Sequence, residues 1–185
     1  IIGGGLTGLT AACMLHDAGR SVLILEAAAR AGGRIRSMRE PQSNTYLADL
    51  GPTWVWPEAQ PLAAAWLERL GLATEPQFER GDTMVEQSAT TSPVRYPLPG
   101  MHGSRRIAGG TESIISRLLE KIPNHAVKTN TRVTSVSLIN GCAEVVTENA
   151  SHPLLHARRI IAAVPLRIAA SAMTWCSRAL DAAWA

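Results

Sequence analysis

Near its start the chain carries three glycines at the spacing G-x-G-x-x-G: Gly3, Gly5 and Gly8. Each has a separate steric task where a strand turns into a helix. The first permits the tight turn, the second lets backbone approach a pyrophosphate, and the third lets the helix pack closely on the strand. Residues 9 to 17 read as that helix, with free N–H groups and a positive dipole end facing phosphate. Gly19 suits the left-handed position after a helix end, and an apolar strand, residues 22 to 25, follows it. Glu26 closes this strand, where a carboxylate would accept hydrogen bonds from the adenosine ribose hydroxyls. The same charge repels a 2′-phosphate by about 1 kcal/mol in water and more in a cleft, which disfavours NADP. The turn reads pyrophosphate and Glu26 reads ribose, so NAD and FAD both satisfy this much.

The next segment separates them. Ala27-Ala28-Ala29-Arg30-Ala31-Gly32-Gly33-Arg34-Ile35-Arg36-Ser37 holds a second glycine pair followed by a fixed positive charge, which ordinary NAD domains lack. Gly32 and Gly33 would let backbone run beside a cofactor, and Arg34 would bond its phosphates or its flavin end. These features move the expectation to FAD.

Taken together, Gly3 to Gly8, Glu26 and Arg30-x-Gly-Gly-Arg34 resemble the FAD-binding signature of the flavin-containing amine oxidase family. The resemblance continues in Asp49-Leu50-Gly51-Pro52-Thr53-Trp54, a flavin-contact loop in the family, and in Leu70-Gly71-Leu72, which ends the helix after it. Arg106-Ile107-Ala108-Gly109-Gly110 resembles the entry to the family's middle helix. Independently, Ile114, Ile115, Leu118, Leu119 and Ile122 fall on one helical face. Strands at about 127 to 139 and 143 to 148 are joined by Asn140-Gly141, a strong hairpin signal, and Val133 matches the family's adenine-contacting position. The apolar run Ile160 to Val164, ended by Pro165, reads as a fully buried parallel strand returning to the sheet.

The resemblance implies an α/β fold: a Rossmann-like FAD-binding domain with a parallel sheet, a β-meander, and the start of a small α+β substrate domain. Its divisions are 1–76 and 106–166 for the FAD-binding domain, 77–105 for a short substrate-domain insertion, and 167–185 for the start of the substrate domain. Cofactor-binding positions are Gly3, Gly5, Thr7, Gly8, Glu26, Arg30, Gly33, Arg34, Gly51, Pro52, Thr53, Trp54 and Val133. The implied activity is oxidation of a small-molecule amine by hydride transfer to flavin, with O2 as acceptor and H2O2 as product. Sibling FAD enzymes, a desaturase or a protoporphyrinogen-oxidase-like protein, share the signature. A third reading is an inactive fragment that binds FAD weakly.

Composition bounds these readings. Hydrophobic residues at 46% and charged residues at 18% fit a globular protein rather than a disordered one. The net charge of +3 comes from scattered arginines without the dense basic block of a nucleic-acid binder. Cys13, Cys142 and Cys176 are widely spaced and suggest neither a disulfide framework nor a zinc site, so a cytoplasmic location is expected. The five histidines lack metal spacing, and no apolar run approaches a membrane span.

Three departures from the family pattern stand out. Ala28 occupies a position where relatives carry an arginine near the ribose. The polar stretch 77 to 104 is too short to roof a deep pocket. Only two strand residues precede Gly3 and no stop signal follows the amphipathic pattern of Ser177 to Ala185, so the chain reads as a fragment. The family's flavin-side lysine and final FAD-binding segment would lie beyond it, and no catalytic residue can be named.

Overall fold

The computed structural model describes residues 1–78, 81–96 and 103–176. In chain order the elements are α1 (Leu6–Asp17), β1 (Ile24–Leu25), β2 (Ser37–Arg39), β3 (Tyr46–Asp49), β4 (Trp54–Val55), α2 (Pro61–Arg69), β5 (Thr74–Pro76), β6 (Thr83–Val85) and β7 (Val94–Tyr96). There follow β8 (Arg105–Ile107), α3 (Glu112–Glu120), a 3-10 turn (Asn124–Ala126), β9 (Val127–Lys128), β10 (Val133–Ile139), β11 (Cys142–Thr147), β12 (Leu154–Ala157), α4 (Leu166–Ala172) and β13 (Thr174–Cys176). This is a mixed α/β chain. It divides into two compact units, one of Ile1–Arg36 with Ile115–Ala185, the other of Ser37–Ile114.

In the first unit, four short extended segments lie parallel. Ile2 bridges Leu25 on one side and Ala162 on the other, while Leu25 pairs with Lys128 in β9. The ladder is closed by Gly3 N–H to Leu25 C=O at 2.9 Å, Ile2 N–H to Ile161 C=O at 2.9 Å and Ala163 N–H to Ile2 C=O at 2.8 Å. Between Ile2 and β1 runs α1, which buries Leu9, Ala12 and Cys13, the i, i+3, i+4 stripe of a helix lying on a sheet. Its last turn ends where Gly19 N–H donates to His16 C=O and Arg20 N–H to Leu15 C=O, as the glycine predicts.

β10 and β11 form an antiparallel hairpin closed at Ile139↔Cys142, with Asn140 (φ 50°) and Gly141 (φ 79°) as its two turn residues. Positive φ at both positions is what a two-residue hairpin turn demands. β12 pairs antiparallel with β11, and β13 lies parallel on the other edge of β10. Ile2, Leu25, Val133, Val136, Val145, Ala169 and Met173 form the core of this unit.

Several expectations need correction here. The strand expected from 127 to 139 is two strands, β9 and β10. After Lys128 the backbone is drawn toward the end of β1, where Thr131 N–H donates to Glu26 C=O and Asn130, with positive φ, donates to Ala28 C=O. The run 160 to 165 joins the parallel ladder through a single bridge at Ala162 and is not fully buried, with Ile161 37% exposed. It pairs with Ile2 alone among the described residues and so behaves as an edge. The helix expected from residue 9 begins at Leu6, and α4 and β13 were not anticipated. The helix expected over Ser177 to Ala185 lies outside the described residues, as does His102.

In the second unit β2 pairs antiparallel with β3, and β8 lies between β4 and β5, antiparallel to both. Val55, Leu67 of α2 and Ile107 form its core. The stretch 77 to 104 contains a small hairpin of β6 and β7. Trp66 is half-buried, with the Arg69 guanidinium 4.8 Å over its ring. Among the described residues no helix is long and apolar enough to cross a membrane.

Candidate functional site

The glycine turn is shaped by what each missing side chain would strike. A Cβ on Gly8 would stand 2.0 Å from the Gly3 carbonyl oxygen, so α1 reaches its seat against the turn only with glycine there. Gly3 sits at φ +99°, and its Cβ would come within 2.7 Å of the Ala163 carbonyl oxygen. Gly5 differs: a Cβ there would meet nothing within 4 Å. Open space thus lies in front of the second glycine, at the N-terminus of a 12-residue helix. Among the described residues the N–H groups of Gly5, Leu6 and Thr7 find no acceptor in the protein. Free amides and the positive helix end beside open space form an anion cradle, and Thr7 lies exposed on its rim.

The second glycine pair joins the first directly. Gly32 N–H donates to Gly4 C=O at 2.8 Å, Gly5 and Gly32 form a parallel bridge, and a Cβ on Gly33 would lie 3.4 Å from Gly5 Cα. Arg30 holds this loop in shape. Its Nη1 donates to the Ala31 and Ile35 carbonyls at 3.0 and 3.2 Å, and its Nη2 to Gly33 C=O at 3.3 Å. The Arg30 guanidinium is therefore turned onto its own loop. Arg34 is exposed and has no hydrogen-bond or ion-pair partner among the described residues, which leaves a cation free to meet an anionic ligand.

Glu26 faces the turn from the end of β1. Its Oε2 accepts from Gly4 N–H at 2.7 Å and its Oε1 from Ala28 N–H at 2.8 Å, so both oxygens are oriented by backbone. Each keeps a lone pair for a further donor. Gly3, Glu26, Thr131, Val133, Val164 and Met173 line one cleft. Three residues singled out from the sequence, Gly3, Glu26 and Val133, thus share one opening.

Gly51, Pro52, Thr53 and Trp54 belong to the other unit. Gly51 and Pro52 are exposed, and Thr53 Oγ1 donates to Gly51 C=O at 3.2 Å. Trp54, 44% exposed, is fixed by its Nε1 donating to Gln77 Oε1 at 3.1 Å and by pairing with Arg106.

Just before that loop stands a residue that sequence reasoning did not single out. Asp49 Oδ1 accepts from Ser37 Oγ at 2.6 Å and from Thr111 N–H and Oγ1, both at 2.9 Å, while Oδ2 accepts from Tyr46 Oη at 3.0 Å. Partial burial pushes the Asp49 pKa up, but these donors outweigh it and hold the carboxyl below its ordinary range. Tyr46 is pushed up, by burial first and then by the neighbouring Asp49. The overlooked signal was at α3: Thr111 precedes the helix, yet Ile114 stands where a capping box carries Glu or Gln, so the helix start must find its acid elsewhere.

The family model described as "Flavin containing amine oxidoreductase" matches residues 6–97 and 81–184. L-amino acid oxidase Lm29 of Lachesis muta is 38% identical over 82 residues, 44% of this chain and 16% of that protein. "Amine oxidase [flavin-containing] B" of Sus scrofa is 36% identical over 99 residues, 54% of this chain and 18% of that one. Among solved structures, cyclohexylamine oxidase from Brevibacterium oxydans superposes with a TM-score of 0.78 at 16% identity, over 94% of this chain and 59% of its own. The chain spans less than a fifth of the length of these two curated relatives in the matched segments.

Proposed function

Because the chain belongs to the flavin-containing amine oxidoreductase family, oxidoreductases whose cofactor is FAD, we propose that it supplies the dinucleotide-binding part of an FAD-dependent amine oxidase. In this reading residues 1–76 and 106–166 build a Rossmann-type FAD-binding domain, 77–105 is a short insertion, and 167–185 opens the substrate domain. The supporting observation is the bridge between Gly5 and Gly32, which unites the two glycine segments beside free amides and open space. An FAD pyrophosphate fits this cradle because Gly5 alone of the motif's glycines has room in front of it.

The roles of the residues follow from their geometry. The amides of Gly5, Leu6 and Thr7 would bind pyrophosphate oxygens, aided by the helix dipole. Glu26, pre-oriented by Gly4 and Ala28, would accept from the ribose hydroxyls, and Val133 at the same cleft would border the adenine. Arg34 would add a charge-assisted bond to phosphate or flavin, while Arg30 keeps the Gly32–Gly33 loop in its binding shape. Gly51 to Trp54 would line the flavin ring. The bound cofactor supplies acceptance of a hydride from the amine-bearing carbon of a small substrate, with O2 as final acceptor and H2O2 as product. The chain's own task is to bind and orient the cofactor against the substrate.

The test uses the whole protein. A visible flavin spectrum, bleaching under anaerobic addition of a primary amine and peroxide release in air are expected. A protein that stays colourless after FAD reconstitution, or a bound flavin that no amine or amino acid reduces, refutes the reading.

A further inference from the structure

Residues 50–53 form an exposed link between two anchors. The far anchor is β4, paired with β8 and fixed through Trp54 to Gln77. The near anchor is Asp49. Its four donors come from β2, β3 and the start of α3, and most converge on Oδ1. The polarity of this cluster is set. Glu112 N–H donates to Ser37 Oγ at 3.2 Å, and Ser37 in turn donates to Asp49, so the hydroxyl cannot reverse without losing both bonds. The Thr111 amide can only donate. The cluster therefore requires an acceptor at every contact, which an ionised carboxylate meets and an amide meets only in part.

Packing reinforces the anchor. A Cβ on Gly110 would come within 2.7 Å of the Tyr46 ring and Ser37 Oγ, so the turn into α3 lies flush against the same two residues that bind Asp49. Arg39 Nη2 clamps that turn from the side, donating to Gly109 C=O at 2.7 Å. The near end of the loop thus starts from a charged, fully bonded node, while the loop itself is exposed.

We propose that Asp49 is the positioning residue of this loop: by gathering β2, β3 and the start of α3 on one carboxylate, it sets where the backbone of residues 50–53 lies and so the surroundings of the flavin ring. The inference rests on the reading of Gly51 to Trp54 as neighbours of the ring. It assigns Asp49 no contact with substrate.

The experiment compares the whole flavin-loaded protein as wild type, Asp49→Asn and Tyr46→Phe. Asparagine keeps an acceptor for Thr111 and Ser37, and phenylalanine removes only the bond to Oδ2. Both variants are expected to retain flavin and melt within a few degrees of wild type. The flavin absorption bands should shift. Anaerobic flavin reduction should slow about tenfold in Asp49→Asn, with KM changed less than about threefold, and less in Tyr46→Phe. A loaded Asp49→Asn protein with wild-type bands and reduction rate overturns the proposal, as does a loss of rate that only follows flavin content or melting temperature. Should Asp49→Asn not fold, Tyr46→Phe decides by the same two readouts. A wild-type protein without flavin ends the underlying reading instead, and that is seen before any variant is made.

Discussion

Gly5 and Gly8 share one motif, yet an added methyl should do opposite things at the two positions. At Gly8 it would begin 2.0 Å from the Gly3 carbonyl oxygen, about 1 Å inside the closest approach real Cβ atoms show. The Gly3 backbone cannot readily give way, since its N–H is bonded to Leu25 and Ile2 beside it is bonded on both edges. The start of α1 must lift by about 1 Å, an overpacking cost of about 1–3 kcal/mol. For a domain of this size that is a fall of roughly 2–12 °C in melting temperature. At Gly5 the methyl meets nothing within 4 Å and φ is −77°, a conformation any residue adopts. Stability should stay within about 0.5 kcal/mol. The methyl would instead occupy the space before the free amides, and losing one charge-assisted bond of about 1.5–3 kcal/mol weakens FAD binding roughly 10- to 150-fold. Circular-dichroism melts of the apoprotein and FAD titration by fluorescence quenching separate the two effects. Gly8→Ala with a native melt, or Gly5→Ala with native FAD affinity, would refute the steric assignment.

Glu26→Gln keeps one carboxamide oxygen for either Gly4 or Ala28 and sets an NH2 against the other amide, so a stability loss of about 1–3 kcal/mol and weaker FAD binding are expected. Denaturant unfolding and titration check this, and unchanged values would contradict it. Arg30→Lys should not rescue the loop, because one ammonium cannot span the carbonyls of Ala31, Gly33 and Ile35; faster amide exchange over residues 31–36 is the readout. Asp49 has a folded-state pKa below its unfolded value, so its stabilisation is present above about pH 4 and is lost as pH falls through the folded value. Melting temperature between pH 2 and 6 should therefore fall more steeply in wild type than in Asp49→Asn, and parallel curves would exclude the linkage.

The glycine turn, the end of α1 at Gly19, the hairpin at Asn140-Gly141 and the apolar face of α3 were legible in the sequence because each is dictated by local sterics or periodicity. Burial was less legible. Ile160 to Val164 looks like a buried strand by composition, but exposure depends on what covers a segment, and Ala162 meets only Ile2. The break between β9 and β10 was hidden because it is imposed by hydrogen bonds to Glu26 and Ala28, a hundred residues earlier in the chain. Arg30 read as a ligand group by type, while its geometry also gives it a loop-shaping task. Asp49 escaped because its four donors come from three separate segments, and no spacing rule joins them.

The parallel ladder of the first unit also has a history in time. Ile2, α1, β1 and the Gly32–Gly33 loop come from the first 36 residues, and their mutual contacts form quickly because they are close in sequence. The outer edge of Ile2 waits for Ile161 and Ala163. At synthesis rates of about 5–20 residues per second, residue 163 follows residue 36 by roughly 6 to 25 s (163 − 36 = 127 residues). Throughout that interval a nascent chain carries a strand with one unpaired edge, a template for pairing with other chains. The carbonyl of Ala163 that crowds Gly3 arrives last, so the cradle is drafted early and locked only when the distant segment docks.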